Sequence, residues 1–223
     1  MNHKNTVPVI TLDGPSGTGK GTLCHLLAGQ LRWHFLDSGA IYRVFALAVE
    51  QERIDVESRA ALIDLAHRMR LRFDGEAVLL NDTVVNDVIR SEHCGQQASK
   101  LAAIPEVREA LLMRQRAFAV PPGLVTDGRD MGTVVFPDAV LKIYLFATSE
   151  ARALRRYFQL KKSGKNDTLA QVVDELTQRD ERDMARAHAP LTPAKDSIAI
   201  DTTGLTVEEV FNQVLQLVVH LGL

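Results

Sequence analysis

The sequence predicts an α/β fold built on a parallel sheet, and three observations carry that expectation. Short β-branched runs alternate with longer stretches of helical period, the rhythm of strands joined by crossover helices. A Gly-rich turn leaves the first run and opens the first helical stretch. With 223 residues, 46% of them hydrophobic, the chain is long enough to bury ~70% of its unfolded surface without disulfides.

The elements follow in order. Residues 7–13, Val-Pro-Val-Ile-Thr-Leu-Asp, read as a buried strand. Leu23, Leu26, Leu27 and Leu31 then recur at steps of three and four, which marks a helix with one face on the sheet. Further core strands are expected at 34–37, 124–127, 140–147 and 197–201, each running into a turn or a helix start. Val207, Val210, Val214, Leu217 and Val218 mark a closing amphipathic helix. The middle of the chain breaks this rhythm. Residues 71–75 and 76–82 read as strands joined by an Asp-Gly turn, a hairpin signal. Residues 70–92 are therefore expected to form a small antiparallel insertion, followed by helices over 92–104 and 105–120. The polar segment 161–167, between two Arg-rich helices, places a candidate mobile lid over 157–170. At ~150 residues per domain, the length suits one domain, 1–223, carrying this insertion, or a domain and a half.

Composition excludes several classes of protein. A net charge of −2, from 26 Lys plus Arg against 28 Asp plus Glu, removes the broad basic field of general nucleic-acid binders while leaving room for a local basic pocket. Cys24 and Cys94 are too few and too far apart for a disulfide framework or a four-cysteine zinc site, and a reduced, cytoplasmic setting is expected. The apolar run that starts at Val7 stops at Asp13, short of a secretory core, and no window reaches the ~18 apolar residues of a membrane span. No exposed apolar stripe remains once the core is assigned, so a monomer is expected.

The strongest motif is Asp13-Gly14-Pro15-Ser16-Gly17-Thr18-Gly19-Lys20-Gly21-Thr22, set between a strand and a helix. In that context it reads as a phosphate-binding loop: glycines turn backbone N–H groups inward, the helix N-terminus adds partial positive charge, and Lys20 neutralises β- and γ-phosphate oxygens. A tight turn without a ligand is the alternative. The common form places Ser or Thr directly after the lysine, whereas here Gly21 stands there and Thr22 follows. Thr22 is therefore expected to orient Mg2+ through water. Gly-Lys-Gly-Thr is also the form found in nucleoside monophosphate kinases.

A phosphate loop says nothing of the acceptor. Asp37-Ser38-Gly39-Ala40-Ile41-Tyr42-Arg43 ends the second strand, with Ser38 placed to cap a helix and Arg43 placed to hold an anion in the crevice at the strand ends. Arg43 could equally be a solvated surface residue. Asp127-Gly128-Arg129-Asp130-Met131-Gly132-Thr133 closes a later strand. Arg129 there can grip a phosphate. Asp130 is acceptor-only when ionised and suits the N4 amino group of cytosine, not the carbonyl of uracil. An Arg129–Asp130 salt bridge is the plainer reading. Arg179, Arg182 and Arg186 stand at steps of three and four on one expected helix face, either an ordinary charged surface or a screen for a transferred phosphate.

Together GPSGTGKGT, LDSGAIYR, VREALL, DGRDMGT and RDERDMARAHAPL resemble the bacterial cytidylate kinase family, in the family's order and over essentially the whole chain from Val7. The resemblance implies a P-loop kinase core of five parallel strands, a CMP-binding insertion and a short lid. It implies ATP on Gly14, Pro15, Ser16, Gly17, Thr18, Gly19, Lys20, Gly21 and Thr22, with Mg2+ accompanying the ATP. Arg43, Arg129 and Arg186 would hold the CMP phosphate, bordered by Ser38. Ser99, Arg108 and Asp130 would meet cytosine, and Asp183 with Arg179 and Tyr42 the ribose. Arg155 and Arg156 would approach the donor phosphates on closure, so that Lys20, Arg129, Arg155 and Arg186 form the expected catalytic set. The implied partners are ATP and CMP or dCMP, with no nucleic acid and no membrane. A UMP or AMP kinase, or a nucleotide-regulated binding protein, is the alternative.

Overall fold

The computed structural model describes residues 7–223 apart from Glu76, Ser163 and Lys165. Glu76, the expected start of the second hairpin strand, and Ser163 and Lys165 of the expected lid lie outside the described residues. The elements run β1 (Val9–Asp13), α1 (Lys20–Leu31), β2 (His34–Asp37), α2 (Ser38–Gln51), α3 (Arg59–Arg68), β3 (Leu71–Asp74), β4 (Ala77–Leu80), β5 (Thr83–Val84), α4 (Asn86–Ile89), α5 (Glu92–Leu101), α6 (Pro105–Arg116) and β6 (Leu124–Gly128). A π-helical turn (Met131–Val135), β7 (Leu141–Phe146), α7 (Ser149–Lys162), α8 (Leu169–Met184), β8 (Ile198–Asp201) and α9 (Val207–His220) complete the chain.

These elements divide into two compact units, one of residues up to Leu36 together with Phe118–Leu223, the other Asp37–Ala117. The first holds the expected parallel sheet, in the order β2-β6-β1-β7-β8. β1 pairs in parallel with β6, Val9 opposite Leu124, and with β7, Ile10 opposite Leu141; β7 pairs in parallel with β8. Every residue of β1 is buried, as expected of a parallel strand covered on both faces. Ile10, Leu12, Val125, Ile143 and Leu145 of the sheet pack with Leu23, Cys24 and Leu27 of α1 and Val210, Val214 and Val218 of α9. Most of the leucine and valine spacings that predicted these helices are thus buried, with Leu31 and Leu217 packed at the margin, while Leu26 and Val207 are exposed. Thr206 and Glu209 close a reciprocal capping box at the start of α9, the arrangement that satisfies two orphan N–H groups at once.

The second unit contains the antiparallel sheet β3-β4-β5. Its first hairpin is the expected one, with Asp74 opposite Ala77. A second hairpin was not expected from the sequence: Leu80 pairs with Thr83 across Asn81 and Asp82, both at positive φ, as a two-residue turn matched to strand twist requires. Around it α2 packs on α5 and α3 on α6, burying Ile41, Val44, Phe45, Leu62, Leu65, Leu101 and Leu111. α5 and α6 stop at Leu101 and Arg116, short of the predicted ends at 104 and 120. The cap of α2 is also revised: Asp37 Oδ1 accepts the Ala40 N–H at 3.1 Å, so Asp37 is the cap and Ser38 is the first helical residue.

Candidate active site

The loop between β1 and α1 has the backbone of a phosphate cradle. Gly14 has φ +145° and lies so close to β7 that an added Cβ would come within 2.0 Å of the Leu145 carbonyl oxygen. Gly17 has φ +81°, and a Cβ there would meet the Cβ and carbonyl oxygen of Arg152 at 2.9 Å. Side chains are excluded at these positions by both conformation and space. Lys20 opens α1 and is buried; its Nζ donates to the Pro15 carbonyl at 2.6 Å and to Thr18 Oγ1 at 3.4 Å. Burial, followed by the charges of Arg129 and Arg179, lowers its pKa to about 7, against the pull of Asp127 and Asp13. Cationic groups thus crowd Lys20 at the loop, and a bound anion would relieve them.

Asp13, at the end of β1, accepts N–H bonds from Met131 at 2.9 Å and Gly132 at 2.8 Å. Burial lifts its pKa to about 6 despite those bonds. The contact fastens the turn that carries Arg129 and Asp130 to the strand that carries the phosphate loop. Arg129 donates from Nε to Asp183 Oδ2 at 2.8 Å and from Nη2 to Ser16 Oγ at 2.7 Å. Its carboxylate partner is thus Asp183, whose other oxygen accepts from Arg186 Nη2. Burial opposes both charges of the Arg129–Asp183 pair, yet mutual attraction wins: the Arg129 pKa is held up, and Arg129, Arg186 and Arg179 hold the Asp183 carboxyl below the usual range. Asp130 is buried beside this pair.

The expected arginine ladder needs one correction. α8 ends at Met184, so Arg186 does not share a helix face with Arg179 and Arg182; it lies beyond the helix and turns back to Asp183. Arg155 donates to Thr202 Oγ1 at 3.0 Å and to the Gly17 carbonyl at 3.5 Å, beside the phosphate loop, while Arg156 donates to Gln159 on its own helix. Arg152 was not anticipated: it is buried, pairs with Asp180 and donates to the Ser16 carbonyl at 3.1 Å. Its signal in the sequence was the Arg152, Arg155, Arg156 cluster, whose inward member periodicity did not single out.

The second unit gathers Ser38, Tyr42, Arg43, Ser99 and Arg108. Arg43 Nη1 donates to the carbonyls of Ile89 at 2.7 Å and Ser91 at 3.0 Å. Arg108 is 9% exposed, lies 5.5 Å from the Tyr42 ring centroid and donates to the Ala102 carbonyl at 3.2 Å. Ser38 and Ser99 are buried. Two guanidinium groups held this way, by carbonyls and an aromatic face, keep their charge and shape for a planar or anionic ligand.

Among the described residues no group of three His, Cys, Asp or Glu is placed to hold a metal ion, and no helix is long and apolar enough to cross a membrane. Oxygen donors near the loop are Thr22, in the first turn of α1, and Asp127, close enough to Lys20 to raise its pKa. A hard cation that keeps its waters and binds mainly through substrate phosphates suits such a sparse set.

Known proteins resemble this chain over nearly its whole length. The cytidylate kinase family model matches residues 10–220. The cytidylate kinase of Stutzerimonas stutzeri (strain A1501) is 53% identical over 215 residues, covering 94% of each chain. That of Colwellia psychrerythraea is 50% identical over 217 residues, covering 95% of this chain and 96% of the other. Among solved structures, a gluconokinase from Sinorhizobium meliloti shares the fold with a TM-score of 0.50 at 12% identity, covering 96% of this chain and 92% of its own. With a phosphate loop, a buried arginine cluster and these matches over nearly its full length, the chain belongs to the cytidylate kinase family.

Proposed function

We propose that the chain transfers the γ-phosphoryl group of ATP to the phosphate of CMP or dCMP, giving ADP and CDP or dCDP. The observation that carries this reading is Arg129, which reaches Ser16 of the phosphate loop at 2.7 Å while Asp183 holds it together with Arg186. A cation that touches the donor loop and shares a carboxylate with another arginine suits phosphoryl transfer between two anions.

In this reading the backbone of Gly14 to Thr22 binds the ATP phosphates and Lys20 neutralises them. The acceptor is an already ionised phosphate oxygen, so no general base is needed, and catalysis rests on in-line placement and charge neutralisation. Arg129 and Arg186 take the acceptor phosphate, and Arg155, alongside Gly17, stands by the donor. Arg43 and Ser38 assist at the phosphate, Ser99, Arg108 and Asp130 read cytosine, and Tyr42, Arg179 and Asp183 border the ribose. Mg2+ would be held by ATP and water, with Thr22 acting through water and Asp127 nearby; its chemistry there is to neutralise charge on the β- and γ-phosphates. Closure of the 157–170 lid keeps water from the donor. The protein acts as a cytoplasmic monomer without nucleic acid; near-neutral charge and two buried cysteines, neither in a disulfide, support this reading.

A coupled assay of ADP release with CMP, dCMP, UMP and AMP tests the reading. CMP and dCMP should be turned over with the highest kcat/KM. Equal rates with all four, or ATP hydrolysis that no acceptor stimulates, would reject it.

A further inference from the structure

Arg152 and Asp180 have no part in the site as assigned so far, yet they close a circuit around Ser16. Arg152, in the first turn of α7, uses all three guanidinium nitrogens: Nε on the Ala147 carbonyl at 3.2 Å, Nη2 on Ser149 Oγ at 3.3 Å, and Nη1 on Asp180 Oδ2 and, at 3.1 Å, on the Ser16 carbonyl. The side chains of Arg152 and Asp180 are 8% and 7% exposed. One helical turn beyond Asp180, Asp183 holds Arg129, and Arg129 returns to the Ser16 hydroxyl. Ser16 is thus gripped at its carbonyl by one arginine and at its hydroxyl by another, and two carboxylates on the same face of α8 anchor those arginines.

The peptide group explains what this grip does. The Ser16–Gly17 amide is planar and trans, so fixing the carbonyl toward Arg152 fixes the Gly17 N–H on the opposite side. That N–H belongs to the phosphate loop, where inward donors bind a polyphosphate. Gly17 leaves little slack, because a Cβ added there would meet the Cβ and the carbonyl oxygen of Arg152 at 2.9 Å. A lysine at 152 would keep the charge but not the fork that serves Ala147, Ser149, Ser16 and Asp180 together.

We propose that Arg152 and Asp180 are positioning residues for the donor nucleotide: Arg152 sets the Ser16–Gly17 peptide for a phosphate oxygen, and Asp180 sets Arg152. The proposal rests on the phosphoryl-transfer reading above, and wild-type turnover of ATP with CMP in the same assay separates the failure of one from the failure of the other. The test compares Arg152→Lys, Asp180→Asn and the double variant by steady-state kinetics, ADP affinity from calorimetry and Tm. The expected result for Arg152→Lys is a KM for ATP and a Kd for ADP raised about tenfold, with the KM for CMP within about twofold. Asp180→Asn should shift in the same direction by less, and the double variant should be no worse than Arg152→Lys, because both act on one peptide. A lowered Tm with unchanged ADP affinity in either single variant, equal rises in both KM values, or additive losses in the double variant would overturn the proposal. Asp180→Asn keeps the test decisive if Arg152→Lys does not fold.

Discussion

Asp183→Asn is the substitution whose effect the structure defines most sharply. The side chain is 1% exposed, and each of its oxygens accepts from a different arginine, the largely buried Arg129 at 2.8 Å and the buried Arg186. Asparagine keeps the shape but offers one acceptor, and its amide turns N–H donors toward a guanidinium that has only donors of its own. Removing one partner of a buried ion pair costs about 3–5 kcal/mol, most of it from the charge left behind. For a chain of this length each kcal/mol is worth about 2–4 °C, so the Tm should fall by about 6–20 °C. The catalytic effect should be larger than stability alone implies: both arginines lose their fixed point, and displacement of about 1 Å costs ~10²-fold in kcat/KM. The pH dependence gives an internal check. The folded-state pKa of Asp183 lies below the ordinary 3.8, so its contribution to stability is complete above the unfolded value and is lost as pH falls through the folded one. The gap between wild type and variant should therefore hold steady from neutral pH down to about 5 and close only below about 4. Thermal melts followed by circular dichroism in a pH series, with kinetics on the same preparations, measure all three. An unchanged midpoint together with kcat/KM within about twofold of wild type would refute the reasoning. Glu52→Gln is the control, since the Glu52–Arg68 pair lies on the surface and such pairs contribute little; its Tm should not move measurably.

Lys20→Met should lower kcat by ~10²-fold or more while raising the Tm of the nucleotide-free protein, because it removes a buried ammonium crowded by Arg129 and Arg179. The sign follows from the pKa of about 7 in the folded state against 10.5 when unfolded: wild-type stability should rise with pH across that window, and the variant should lose this rise, as melts in a pH series would show. Gly17→Ala, forced to positive φ against Arg152, should lose at least about 1–2 kcal/mol from the backbone alone and raise the KM for ATP; denaturant melts and initial rates measure both. Asp130→Ala should erode the preference for CMP over UMP about tenfold or more by the loss of one buried acceptor, read as a ratio of kcat/KM values.

What the sequence revealed and what it hid separate along physical lines. The strand 34–37, the leucine stripe of α1 and the valine stripe of α9 were legible because each depends on local periodicity and burial on one face. The phosphate loop was legible because its glycines and lysine serve the backbone within ten residues. The π-helical turn was not, since its first two N–H groups are taken by Asp13, more than a hundred positions earlier, and no local signal encodes that. Asp37 displaced Ser38 as the cap because both residue types suit the role and only the chain's entry angle chooses between them. Arg186 left the expected helix face for a similar reason: Asp183 draws it back once α8 has ended. Arg152 stayed hidden among three arginines because only tertiary packing decides which one turns toward Ser16.

The strand that comes first in sequence is central in the sheet, with Val9 beside Leu124 and Ile10 beside Leu141. During synthesis this has an order of events built into it. Residues 37–117 form a contiguous unit and emerge whole before either neighbour of β1 exists, so the apolar run Val9–Leu12 waits with both edges unpaired. Contacts this distant along the chain carry a large loop-closure entropy and slow folding. The waiting strand is therefore the segment in most need of shielding on the ribosome. A chain truncated before Leu145, against which Gly14 is seated, would contain every residue of the nucleotide motif and have nowhere to put it.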